Sequence, residues 1–347
     1  MNDPMTPDTA GAPPSTQAGP FAAADSALAL DLADRLDRVE TRLSTAAAQS
    51  ERLPHEASHH LMQAGGKRVR PLLVLLTAQL GDGSRDEVID AAAAVELIHL
   101  ATLYHDDVMD DAPVRRGAPS AHEVWGNSVA ILTGDLLFAR ASLLSAGLGP
   151  EAVRLQATTF ERLVLGQLAE FAGPGPDEDP IAHYLQVLAD KTGSLIAASG
   201  EFGLRYSGAP ADLIDPVRQY GEKVGVAFQL ADDIIDLTSD AATSGKRPGT
   251  DLRERVPTLP VLYARRAAAA GDDTAAEVVT LLDGDLTSDE ALETARVALA
   301  SHEVTAQARA EARRWADDAI ACLSALPHGE VREGLEAFAH QVVERSS

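Results

Sequence analysis

Two stretches of this chain set three aspartates at the end of a long apolar run with helical spacing, and this pairing restricts the fold more than any other feature. His99 to Gly117 reads HLATLYHDDVMDDAPVRRG, and Phe228 to Leu237 reads FQLADDIIDL. On an α-helix, residues four apart share a face. Asp106 and Asp110 therefore point the same way, as do Asp232 and Asp236. Two like charges about 4 Å apart repel by roughly 4 kcal/mol at an effective dielectric near 20. Six carboxylates on two apolar helices are costly unless something neutralises them, so the expectation is two facing helices that form a cation cage.

The rest of the chain fits helix throughout. Hydrophobic residues make up 45% of the 347 positions and aromatics only 4%. Ala and Leu dominate and period-two alternation is scarce, which predicts an all-α protein built as one large bundle. Residues 1–24, rich in Pro, Ala, Gly and Thr, cannot offset their ordering entropy and are expected to be disordered. Residues 25–347 then form the domain. Helices are expected over Asp25–Ala48, Leu53–Ala64, the LLVLLTAQL run, Asp86–Asp111, Asn127–Gly147, Glu151–Phe171, Ile181–Tyr206 and Ala209–Leu237. Pro216 should lie near the start of the last of these, or mark a kink. Gly173–Pro180 reads as a connector, and the amphipathic helices after Ala264 carry no visible chemistry.

The net charge of -24, from 53 acidic and 29 basic residues, argues against a nucleic-acid surface. The lone cysteine, Cys322, excludes an intramolecular disulfide and fits a reducing, cytoplasmic setting. No apolar run is expected to reach the roughly 18 residues of a membrane span, and the N-terminus lacks a basic-then-apolar signal pattern.

There are four lysines, Lys67, Lys191, Lys223 and Lys246. Three stand beside Gly or Thr in GGKR, DKTG and SGKRPG, contexts where a compact ammonium suits a phosphate oxygen. GGKRVRP brings three cations to the start of an apolar helix, whose free N–H groups also favour an anion. Arg115 and Arg116 follow the first triplet closely, as Lys246 and Arg247 follow the second. One triplet alone is as well explained by an exposed helix face. Two triplets on apolar helices, with three basic loops, instead match diphosphate handling, in which carboxylates hold Mg²⁺ and cations hold phosphate oxygens.

From Asp25 to the C-terminus the chain resembles the all-trans polyprenyl diphosphate synthases, which elongate isoprenoid chains. The resemblance rests on GGKRVRP, HLATLYHDDVMDDAPVRRG, GDLLFARA, DKTGSL, AFQLADDIIDL, GKRPGTDLRE and TLPVLYA, in that order. It implies a helical bundle around a deep central cavity and a homodimer. It also implies about three Mg²⁺ ions on Asp106, Asp110, Asp232 and Asp236. Lys67, Arg70, His99 and Arg116 match positions that bind isopentenyl diphosphate. Arg115, Lys191 and Lys246 match those that bind the allylic diphosphate, while Thr192 and Gln229 lie near the reacting carbons. Gln167 and Glu170 form a further polar pair facing the cavity. The chain departs from the family at DLRERVPTLP, where many relatives read DLREGKxTLP, and Arg255 is the candidate replacement for the missing lysine.

A residue four or five positions before Asp106 lies about one turn, 5.4 Å, deeper. Thr102 and Ala101 stand there, both small, where short-product relatives place an aromatic. The expected product is therefore roughly C30 to C50, with a C20 geranylgeranyl product as the alternative. A transient membrane contact for lipid release is compatible with this, although no anchor is visible. Two other classes compete. An HD-type metal phosphohydrolase would use His105-Asp106, and a terpene cyclase would carry a different second metal motif. Neither accounts for the second triplet together with the basic loops.

Overall fold

The computed structural model describes residues 26–239 and 248–344. The expected N-terminal tail and Lys246 lie outside them. Helix α1 spans Ala27–Ala47, and Ser26 caps it by accepting from the Ala29 N–H at 3.0 Å. Its buried residues Leu32, Leu36, Val39 and Leu43 recur every three or four positions, the spacing of one helical face. Helices α2 (Arg52–Gln63) and α3 (Val69–Ala78) follow, with Pro71 in the first turn of α3, where a missing N–H costs little.

Helix α4 (Asp86–Met109) is apolar around most of its circumference and accordingly buried along most of its length. Beyond it lie β1 (Val114–Arg115) and β2 (Ala118–Pro119), the only strands among the described residues. Their two-residue turn, Arg116 and Gly117, has φ of 54° and 78°, the backbone that a tight hairpin demands. Helices α5 (Ala121–Trp125), α6 (Asn127–Leu148) and α7 (Pro150–Ala172) then run to the connector.

The expected single helix Ile181–Tyr206 is in fact α8 (Pro180–Leu188), a π-helical turn (Ala189–Gly193) and α9 (Ser194–Ser207). Helix α10 (Ile214–Thr238) carries Pro216 in its first turn, so the proline starts the helix and does not kink it. The chain ends with α11 (Thr250–Arg253), α12 (Leu259–Ala269), α13 (Asp273–Asp283), α14 (Asp289–Ser301), α15 (Glu303–Cys322) and α16 (Glu330–Glu344).

Helix α4 packs on α1, α3, α6 and α9, and α10 packs on α9, α15 and α16. With α6 on α7 and α7 on α9, the helices close around an interior, and α4 and α7 make no comparable contact across it. One apolar core runs through both halves.

One expectation fails. Helices α4 and α6 are both long and apolar enough, by length and composition, to cross a membrane. In α4 the apolar window is 78% buried and belongs to the core, but in α6 only 39% is covered. Leu132 and Leu143 of α6, with Leu165, Leu168 and Phe171 of α7, stand exposed.

Candidate active site

The first triplet closes α4. Asp106 is half-buried, Asp107 is fully buried and Asp110 is exposed at the C-cap, so the three neighbours in sequence meet three environments. Asp107 turns away from the other two and accepts from Arg115 Nε at 2.6 Å. Burial, with some repulsion from Asp110, pushes the Asp106 carboxyl up to about 6, and Lys191 opposes the shift. Asp110 is also raised, chiefly by burial.

The second triplet closes α10 in the same manner. Asp233 is buried and accepts from the Tyr184 hydroxyl and from Gln229 Nε2, the latter at 3.0 Å. Burial pushes its carboxyl up to about 6 against those two hydrogen bonds. Asp232 and Asp236 are only partly buried. The Asp236 carboxylate accepts from the Asp251 N–H at 3.2 Å and its carbonyl from Gly249 at 2.9 Å, so the chain beyond residue 247 folds back onto it.

Two links join the triplets. Glu254, after α11, has its carboxyl raised by partial burial and then by the fields of both Asp110 and Asp236, one from each triplet. The π turn supplies the other, because Lys191 faces Asp106 and Asp110 while Thr192 Oγ1 lies 3.5 Å from Gln229 Oε1. Lys191 Nζ also donates to Glu170 Oε2 at 2.6 Å, and Gln167 lies buried with its Oε1 unpartnered among the described residues. The half-cage expected from the sequence has its two sets of carboxylates at the ends of α4 and α10. Among the described residues no three His, Cys, Asp or Glu side chains gather into a metal-sized group. Helix α9 packs on both α4 and α10, so the two acidic helix ends belong to helices joined through it.

A basic wall lies beside the acidic one. Arg68, in the left-handed conformation at φ 48°, is buried between Glu40 and Glu96, its Nη1 donating to Glu96 at 2.9 Å. Arg116 donates to the carbonyls of Leu61, at 3.0 Å, and Gly65. A Cβ at Gly66 would fall 2.9 Å from the Arg116 guanidinium carbon, so this glycine makes room for the arginine. Arg70 is lowered to about 10 by burial and by Arg116, with Glu96 opposing, and its Nε has no partner among the described residues. His99 is held well below its ordinary value of 6.5 by burial and then by Arg70 and Arg116, which leaves the ring neutral. Lys67 is exposed at the rim. Ala101 and Thr102 are buried one turn below Asp106.

The expectation for Arg255 is overturned. Its guanidinium donates to the carbonyls of Leu282, at 3.4 Å, and Gly284, at 2.7 Å, and so is tied to the α13 end. Its φ of 60° explains the position, since the family pattern has glycine there and Val256 stands in the lysine's place. Reading the sequence missed Arg68 and Glu96 as a buried pair, Tyr184 as the partner of Asp233, and Glu254 as the link between triplets. For Glu96 there was a signal, a lone carboxylate within the apolar AAAAVELIHL run.

Two walls of opposite charge around one interior can bind a polyanion together with divalent cations. Residues 51–296 match the model of the polyprenyl synthetase family. The chain is 47% identical over 309 residues to the nonaprenyl diphosphate synthase of Mycobacterium tuberculosis, covering 89% of this chain and 91% of that one. It is 37% identical to heptaprenyl diphosphate synthase component 2 of Geobacillus stearothermophilus, over 90% of this chain and 97% of the relative. The crystal structure of geranylgeranyl pyrophosphate synthase from Corynebacterium glutamicum, complexed with calcium and isoprenyl diphosphate, superposes with a TM-score of 0.82 at 43% identity, over 92% and 98% of the two chains. With its paired aspartate helices, its basic wall and these likenesses, the chain belongs to the polyprenyl synthetase family.

Proposed function

We propose that this enzyme, a trans-prenyltransferase by family, condenses isopentenyl diphosphate head-to-tail with an allylic diphosphate to give an all-trans product of roughly C30 to C50. The observation that carries this reading is the pairing of carboxylates at the ends of α4 and α10 with a guanidinium wall whose Arg70 Nε is buried and unpartnered among the described residues. Nonaprenyl and heptaprenyl synthases among the relatives support the longer product.

Asp106 and Asp110, with Asp232 and Asp236, would hold about three Mg²⁺ ions; the raised carboxyls of Asp106 and Asp110 and the excess negative charge of the four fit such hard cations. When bound, the ions supply Lewis-acid stabilisation of the diphosphate leaving group. Arg115, Lys191 and Lys246 bind the allylic diphosphate and take up charge as its C–O bond breaks. Lys67, Arg70 and Arg116 bind isopentenyl diphosphate, and neutral His99 donates an N–H to it. Thr192 and Gln229 direct their oxygens at the developing allylic cation. The double bond of isopentenyl diphosphate attacks that cation, and the departed diphosphate accepts the proton then lost. The apolar walls exclude water, which would otherwise quench the cation.

Ala101 and Thr102 leave the α4 wall open to a growing tail. Incubating the purified protein with isopentenyl diphosphate, Mg²⁺ and each of several allylic primers, then sizing the products, tests the reading. Products of C30 or longer are expected, and Ala101→Phe should shorten them. Products that stop at C20 would overturn the length, and phosphate release without chain growth would favour the phosphohydrolase.

The several large apolar side chains exposed on α6 and α7 support a homodimer, because uncovered apolar surface of this extent favours an interaction face. Sedimentation should show a dimer that Leu132→Glu converts to monomer, and a monomeric wild type would refute it. A brief membrane contact during release of a long lipid, and a cytoplasmic location supported by the lone cysteine, complete the proposal.

A further inference from the structure

Asp190 adjoins Lys191 and Thr192 in sequence but turns the other way, and its partners lie outside the site. Arg162, on α7, donates through Nε to Asp190 Oδ1 and through Nη1 to Glu222 Oε2, the second bond at 2.5 Å. The other Asp190 oxygen accepts from Gln186 Nε2 at 2.8 Å, and its carbonyl accepts from Ser194 Oγ at 2.6 Å. One guanidinium thus ties α7, the π turn and α10 together.

The three elements meet with no room to spare. A Cβ on Gly166 would fall 2.8 Å from the Lys191 nitrogen, one on Gly193 2.8 Å from the Glu222 carbonyl, and one on Gly225 2.6 Å from Gly193 Cα. A π turn is a rare backbone state that persists where its surroundings over-determine it. Here it sends Asp190 outward to Arg162 while Lys191 reaches Glu170 and faces the first triplet, and Thr192 reaches Gln229. The side chains of Arg162, Asp190 and Glu222 are 35%, 21% and 37% exposed, and ion pairs this wet add little to global stability. A role in local geometry explains the arrangement better than a role in holding the fold.

We propose that Arg162 is a positioning residue: its clamp on Asp190 and Glu222 holds the π turn in the form that presents Lys191 and Thr192 to the allylic diphosphate. The inference rests on the reading of Lys191 as an allylic-diphosphate ligand. It predicts an effect on one substrate only, since Lys67, Arg70 and Arg116 lie on other elements.

Steady-state kinetics of Arg162→Ala, with each substrate varied in turn, tests it. The KM for the allylic primer should rise by about tenfold or more while that for isopentenyl diphosphate stays within about twofold, and far-UV circular dichroism should be unchanged. Arg162→Lys, which keeps the charge but not the fork, should recover part of the loss. An allylic KM like the wild type's, or both KM values rising together, overturns the proposal. If Arg162→Ala does not fold, Asp190→Asn must give the same selective rise, and an unchanged allylic KM in that variant overturns it equally. A wild-type protein that elongates no primer refutes the proposed function instead, which separates the two failures.

Discussion

The two charged walls of the interior differ in how much of their own charge they neutralise. The basic wall keeps internal counter-ions. Arg68 lies between Glu40 and Glu96, and Glu96, though buried, faces Arg68, Arg70 and Arg116. The acidic wall has less help, with Lys191 and Arg115 set against Asp106, Asp110 and the field of Glu254. Both triplets also end their helices, where the negative pole of the macrodipole adds to the repulsion. On the proposed reading, the basic wall is a preformed anion site that stands without its ligand, whereas the acidic wall is short of positive charge and would depend on divalent cations.

The largest effect should come from stripping the acidic wall of what it depends on. Asp106→Ala, or chelation of divalent ions, is expected to lower turnover by about a thousandfold, roughly 4 kcal/mol, measured as incorporation of labelled isopentenyl diphosphate. Turnover that survives both treatments would erase the contrast between the walls. Next comes the basic wall's own counter-ion. Glu96→Gln leaves Arg68 buried with less compensation and should cost about 3 kcal/mol in urea denaturation, and a loss near zero would show that the internal carboxylate is dispensable.

The smallest effect is a pH dependence at His99. Its folded-state value lies well below its ordinary 6.5. Only the unfolded chain takes up a proton as pH falls through that value. The stability from a neutral His99 is thus present above 6.5 and lost below it. Between about pH 7 and pH 5.5 the wild type should lose about 1 kcal/mol more than His99→Gln, read from paired denaturation curves. Parallel curves for the two proteins would mean that the ring is charged in the wall.

Much of this was legible from residues alone. The helical class, the long helices α4 and α10 with aspartates at their ends, and the basic stretches at Lys67–Arg70 and Arg115–Arg116 all follow from spacing and residue type. The π turn was not legible, because Ile181–Tyr206 has an uninterrupted helical pattern and the turn is fitted to close contacts of Gly166 on α7 and of Glu222 and Gly225 on α10 with its own residues, Gly193 among them. The fate of Arg255 was hidden for a similar reason, since the carbonyls that hold it lie at Leu282 and Gly284 on a later helix.

Residue order alone determined which elements form and which face of each carries charge, because helical periodicity is a local property of the backbone. Only the tertiary structure decided which member of each aspartate triplet is the buried anchor, and which arginine is locked in an ion pair and which keeps a donor without a partner among the described residues. The arginine pairings depend on partners 28 to 60 positions away, as with Arg68 and Glu96 or Arg162 and Glu222, and no local pattern encodes the approach of such distant groups.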